Sequence, residues 1–124
     1  MPDLAMPADV ISMFYVLQFV EQERDRMTLL RWAYRNLRPG GRLLLGQKEK
    51  VFGELDGMFT EEYYRFRERN GYTRAEIEAK TAALKNSMWP ISPEWLESMC
   101  YEAKFNTYAE TTKWLQFSTS MAIK

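Results

Sequence analysis

The chain has 124 residues, enough for one domain (1–124) with a real core, and its 17 basic residues balance 17 acidic ones. No net field therefore recruits nucleic acid or an anionic membrane. There is no His and a single Cys, which excludes Ser-His triads, Cys-His dyads, His-ligated metals and internal disulfides within the chain.

Met1 to Ala8 holds two prolines and little periodicity, and reads as an extended lead-in. Val10 to Leu17 is a nearly unbroken apolar run with β-branched and aromatic members, which predicts a strand covered on both faces. Glu21 to Leu37 has helical spacing. Met27, Leu30, Tyr34 and Leu37 fall on one stripe, with Arg24, Asp25, Arg31 and Arg35 largely elsewhere. Arg38-Pro39-Gly40-Gly41 is expected to stop that helix, and Arg42 to Gly46 to form a second buried strand. Two strands around one helix make a right-handed parallel crossover.

Gln47 to Phe52 leaves the second strand, and Gly53 to Gly57 reads as a turn. Thr60 is expected to cap a helix from Glu61 to about Arg69, ended by Asn70-Gly71. Thr73 with Glu76 forms a capping box for a helix to about Asn86 that carries Ile77, Thr81 and Leu84 on one face. Met88 to Ile91 is a connector. Ser92-Pro93-Glu94 starts another helix, with Trp95, Met99 and Ala103 expected inward. Thr107 to Leu115 and Phe117 to Ile123 read as a terminal antiparallel pair, bulged near Gln116. The result is an α/β chain: parallel strand-helix-strand, a helical insertion, and a C-terminal antiparallel strand pair. Its first strand is left at an edge, an association site unless something pairs with it.

Ala8-Asp9-Val10, Leu17-Gln18-Phe19, Leu37-x-Pro39-Gly40-Gly41 and Leu43 to Lys48 resemble the second half of a class I S-adenosylmethionine-dependent methyltransferase. Phe66-x-x-x-Asn70-Gly71-Tyr72, Glu76-Ile77, Lys80, Leu84-x-Asn86-x-Met88, Ala103-x-Phe105 and Ala122-Ile123-Lys124 narrow the resemblance to the carboxy-S-adenosylmethionine synthase family. The resemblance implies a partial Rossmann-like methyltransferase sheet. It also implies a place in tRNA wobble-uridine modification, where the family converts S-adenosylmethionine and prephenate into carboxy-S-adenosylmethionine. It covers nearly all of this chain but only the C-terminal half of a typical member. The family's glycine-rich loop and its ribose- and adenine-facing acidic residues have no counterpart here. Phe14 stands where the family has a cofactor-contacting Asn, and Thr81 where it has the Arg that grips the extra carboxylate. Gln47 replaces a Glu and Lys104 a Gly. A Thr hydroxyl is a poor substitute for an Arg fork.

The expected reading is thus a truncated transferase-like chain, not catalytic alone, with no catalytic residue and no metal site assigned. Phe14, Tyr15, Gln18 and Phe19 are the candidates for a vestigial cofactor pocket at the carboxyl end of the first strand, against a plain core-packing account. Lys48, Tyr72, Lys80 and Thr81 are the substrate-side candidates, carried over from the resemblance. The isolated chain is expected to bind no cofactor. S-adenosylmethionine or carboxy-S-adenosylmethionine is expected only if a partner completes the fold. The expected partner is a second copy, pairing through the first strand, or a chain supplying the missing N-terminal half. A small-ligand or protein-binding module is the alternative.

Other features read as structural. Gly40-Gly41 runs from helix into strand, the reverse of a phosphate loop. Basic residues around Arg65 to Arg69 interleave with acidic ones, as on a solvated helix face, so no nucleic-acid partner is expected. Cys100 reads as a buried structural thiol. The lone cysteine, the absence of a leader and the lack of a membrane-length apolar run lead us to expect a cytoplasmic protein.

Overall fold

The computed structural model describes residues 1–124. Its elements are β1 (Ala8–Phe14), α1 (Glu23–Asn36), β2 (Leu37–Lys48), α2 (Glu54–Arg69), α3 (Arg74–Leu84), α4 (Pro93–Glu102), β3 (Thr107–Trp114) and β4 (Phe117–Ile123). A short 3-10 turn, Leu17–Phe19, lies between β1 and α1. No helix is long and apolar enough to cross a membrane.

The apolar run expected as one strand from Val10 to Leu17 divides in two. Tyr15 takes a left-handed φ of 56°, which ends β1 at Phe14 and folds Leu17 back into the core. Helix α1 buries Met27, Leu30 and Ala33, and Leu37 follows in the same cluster. Tyr34 sits at the rim of that stripe, edge-on to Phe105 at 5.3 Å.

Pro39-Gly40-Gly41 does not end the helix, which has already stopped at Asn36. Those residues lie inside β2 as a bulge: Ala8 pairs with Leu37 and Val10 with Arg42, so two steps on β1 face five on β2. The cause is local. Proline biases Arg38 towards an extended backbone, and Gly40 absorbs the bulge at a φ of 78°.

Three further expectations are corrected. Helix α2 begins at Glu54 rather than after Thr60, because Glu54 and Asp56 supply the favourable charges for its first turn. Thr60 is interior and accepts instead from Gln116 Nε2 at 3.1 Å. In α4 the deepest residues are Leu96 and Cys100, one position on from Trp95 and Met99, which pack half-buried beside them, while Ala103 at the helix end is buried as expected. The hairpin bulge lies between Glu110 and Thr112, not near Gln116, since Leu115-Gln116 form a tight two-residue turn with Leu115 at a φ of 53°. The capping box at Thr73 and the Ser92 cap with Pro93 at the first helical position are present as expected.

The four strands form one sheet in the order β1-β2-β4-β3. The pair β1–β2 is parallel and the rest antiparallel, with β1 at an edge. On one face Ile11, Met13, Leu43, Leu45, Ala122 and Tyr108 pack under α1 and α4, and this is the main core. Neither α2 nor α3 contributes to that core. On the other face the register aligns Val10, Arg42, Ile123 and Thr107 in one row and Ser12, Leu44, Met121 and Ala109 in the next. Phe14, Gly46, Thr119 and Thr112 make a third row, and Lys48, Phe117 and Trp114 a last. Only that last row is covered, by Tyr63 and Phe66 of α2.

Candidate functional site

A groove of about 1260 Å³ opens where β1 and β2 end. The sheet edge forms its floor, α2 and α3 one wall, and the 3-10 turn with residues 84–90 the other. Such carboxyl ends are where open α/β sheets bind ligands.

Each groove element is held by specific chemistry. Tyr15 N–H donates to the Gly46 carbonyl at 2.6 Å, which pins its left-handed backbone, and its ring meets Phe117 edge-on at 6.4 Å. Gln18 is buried and fully committed. Its Oε1 accepts from Lys48 N–H at 2.6 Å, its Nε2 donates to Met88 Sδ at 3.4 Å, and its carbonyl accepts from Trp89 N–H at 2.7 Å. That amide ties the first turn, the end of β2 and the connector together. Phe19 lies half-exposed on the groove wall.

Lys48 is half-buried on the floor, and none of the ion pairs in the structure involves its ammonium. Burial pulls its pKa down, opposed by the charge of Asp56. Next along the chain, Glu49 is buried on the opposite side of β2 and takes Lys113 Nζ on one carboxylate oxygen at 2.8 Å. Its other oxygen has no hydrogen-bond partner. The hydrogen bond from Lys113 to Glu49 raises the Lys113 pKa, and burial followed by Glu49 raises that of Glu110.

Of the substrate-side candidates, Lys80 and Thr81 line the rim from α3. The Thr81 hydroxyl donates to the Ile77 carbonyl at 3.0 Å, so the Tyr64 hydroxyl, 2.9 Å away, is the donor to Thr81. That bridge latches α3 to α2. Tyr72 lies outside the groove at the α2–α3 turn, beneath the Arg67 guanidinium at 4.7 Å. Phe14 also lies outside, on the uncovered sheet face, where its ring occupies the space a Gly46 side chain would need (2.6 Å to Cδ1). The groove therefore gathers Tyr15, Gln18, Phe19, Lys48, Lys80 and Thr81 and leaves Phe14 and Tyr72 apart.

Sequence reasoning passed over Arg26. It is buried, its Nε donates to the Val20 and Leu17 carbonyls at 2.7 and 3.1 Å, and its Nη2 donates to the Trp89 carbonyl at 2.9 Å. Its guanidinium also lies 5.6 Å from the Trp95 ring centre. Burial lowers its pKa, with Glu23 opposing. The signal was its spacing, since Arg26 shares a helical face with Leu30, Ala33 and Leu37. Tyr63 and Tyr64 are two further wall residues whose role came only with the fold.

No protein-family profile matches the chain. Among curated proteins it is similar to the carboxy-S-adenosyl-L-methionine synthase of Pseudoalteromonas translucida, 35% identical over 121 residues, covering 94% of this chain and 48% of that protein. The synthase of Desulfotalea psychrophila is 34% identical over 118 residues, with the same coverage. The chain spans about half the length of the curated relatives it matches. Among solved structures, the S-adenosylmethionine-dependent methyltransferase SibL aligns over 99% of this chain and 33% of its own, with a TM-score of 0.64 and 19% identity. A methyltransferase of Thermotoga maritima aligns over 98% and 60%, with a TM-score of 0.57 and 16% identity. The chain thus resembles the C-terminal half of a carboxy-S-adenosylmethionine synthase, and its fold is part of a Rossmann-like methyltransferase.

Proposed function

We propose that these 124 residues form the substrate-facing half of a carboxy-S-adenosylmethionine synthase-like transferase site and are silent in isolation. The observation that carries this is the groove itself. It lies at the carboxyl ends of the parallel strands β1 and β2, yet several of the polar side chains that shape it are spent on internal bonds. Gln18, Thr81, Tyr64 and Arg26 hold the walls rather than face a ligand. No glycine-rich strand-to-helix turn in the chain offers backbone N–H groups to a nucleotide. S-adenosylmethionine or its carboxylated derivative would then bind only once a second segment supplies the nucleoside contacts, and tRNA wobble-uridine modification in the cytoplasm would be the setting. Tyr15, Phe19, Lys48 and Lys80 are among the groove residues free to meet it. Isothermal titration of S-adenosylmethionine into the purified chain tests the reading. We expect no heat at micromolar ligand, and micromolar binding would overturn it.

Lys48 favours a second reading, a small-ligand module. A half-buried ammonium with no ion pair, walled by Tyr15, Tyr63 and Phe117, suits a planar molecule carrying one anionic group. A thermal-shift comparison of aromatic carboxylates with their neutral amides decides it. Stabilisation by the acids alone, lost in Lys48→Met, is the expected result under this reading, and equal shifts for both series would remove it.

A further inference from the structure

We propose that Glu49, Glu110 and Lys113 form a proton-operated latch at the far end of the groove floor. With a proton on Glu110 the latch holds β3, the end of β2 and the connector wall together. Loss of that proton to solvent releases the wall at Ile91. The latch does not depend on what the groove binds.

Glu49 is the centre. It is 2% exposed, and Lys113 Nζ lies 2.8 Å from one of its carboxylate oxygens. The other oxygen has no partner. A buried ionised oxygen without a donor is costly, so the site calls for one more proton donor. The nearby amides are already spent: Gln47 Nε2 donates to Ser118 Oγ at 2.8 Å, and Gln116 Nε2 to Thr60 Oγ1 at 3.1 Å. Glu110 can fill the gap. An unbroken strand would set Glu110 and Lys113 on opposite faces, but the bulge between Glu110 and Thr112 brings both to one face, opposite Ser120 and Ser118. From there the Glu110 carboxyl reaches Glu49, and a carboxyl donates only when protonated. Burial, then Glu49, favours the proton on Glu110, and Lys113 opposes it. The other charged groups nearby are Glu94 and Glu97 of α4, which border the same hollow as Glu110, and Lys48 and Lys50, which flank Glu49 and line the groove. From β4 only Ser118, Ser120 and the adjoining Gln116 face the latch.

The latch bears on the groove through the backbone. Glu49 forms a parallel bridge with Ile91: Ile91 N–H donates to the Lys48 carbonyl at 3.0 Å, and Lys50 N–H to the Ile91 carbonyl at 2.9 Å. Ile91 ends the connector whose Met88 and Trp89 line the groove. With both carboxylates ionised, repulsion pushes Glu49 and β3 apart and loosens that bridge. Since Glu110 holds its proton more tightly folded than unfolded, the latch contributes fully below its ordinary 4.5 and is lost as pH rises through the higher folded value.

Amide exchange of Lys50 and Ile91, followed by NMR from about pH 4.5 to about pH 8 with the intrinsic pH dependence divided out, tests the latch. We expect a step of about tenfold or more towards faster exchange, absent from Leu30 in α1. Glu110→Gln, whose folding is checked by circular dichroism, keeps a donor at every pH and should abolish the step with the bridge closed. Lys113→Met removes the charge that opposes the proton and should move the step to higher pH. No step in the wild type, a step that survives Glu110→Gln, or a step that Lys113→Met moves to lower pH would each overturn the proposal.

Discussion

Lys104 shows what a single departure from a family pattern costs. It sits at a φ of 83° just after α4, where its N–H donates to the Tyr101 carbonyl at 3.0 Å and Phe105 N–H donates to the Cys100 carbonyl at 3.1 Å. That is a Schellman stop, which favours glycine because a side chain strains the left-handed backbone. Lys104→Gly should raise stability by about 1 kcal/mol, read as a higher urea midpoint with unchanged slope. Cys100 supports a prediction about pH. Burial, with Glu97 adding to it, pushes the thiol from its ordinary 9.0 up to about 12, and burial likewise moves Tyr108 from 10.0 to about 12. Both groups keep their protons longer in the folded state than in the unfolded one. Stability is therefore unaffected by them below pH 9 and falls as pH rises from there towards 12. Unfolding free energies measured from pH 8 to 11 should show that decline, and Cys100→Ala should flatten its lower part.

At the scale of elements, the molecule divides unevenly. Helices α1 and α4 are sewn into the core, whereas α2 and α3 form a hairpin of their own, closed by the Thr73–Glu76 capping box, by Arg74 on Glu61 and Glu68, and by the Tyr64–Thr81 bridge. That hairpin meets the sheet chiefly through an aromatic clasp: Tyr63 on Phe117 at 4.9 Å and Phe66 on Trp114 at 4.7 Å. Such pairs contribute about 0.5–1.5 kcal/mol each beyond the area they bury. Tyr63→Ala should therefore loosen the groove wall without unfolding the protein. The measurement is hydrogen exchange, faster throughout α2 and α3 and unaltered in α1. Equal acceleration in both regions would show that the hairpin is part of the cooperative core.

For the whole molecule, the core lies to one side. Leu30, Leu43, Leu45, Leu96 and Cys100 are all fully buried between one sheet face and two helices. Leu30→Ala should cost about 2–5 kcal/mol by removing packing that collapse cannot refill, seen as a fall in the global transition rather than local opening. The bare face opposite carries no comparable stability, and a Val10→Glu substitution at this half-exposed position should leave the global transition nearly unchanged.

The amino-acid sequence alone carried the strand-helix-strand unit, both capping motifs, the terminal hairpin and the open first edge. Each of these rests on local signals: apolar runs, helical spacing, cap residues and turn residues. It could not carry the end of β1, the bulge at Pro39 to Gly41, the burial of Arg26 or the placing of Phe14 and Tyr72 outside the groove. Those depend on pairing register and on which face of a strand meets a helix, and both are settled only when distant segments come together. Arg26 is buried because three carbonyls from two loops converge on it, and Phe14 is turned outward because the parity of its strand assigns Met13 to the core. The tertiary structure alone decided that one side of the sheet is packed and the other bare, since that asymmetry belongs to the arrangement of the helices and to no single residue.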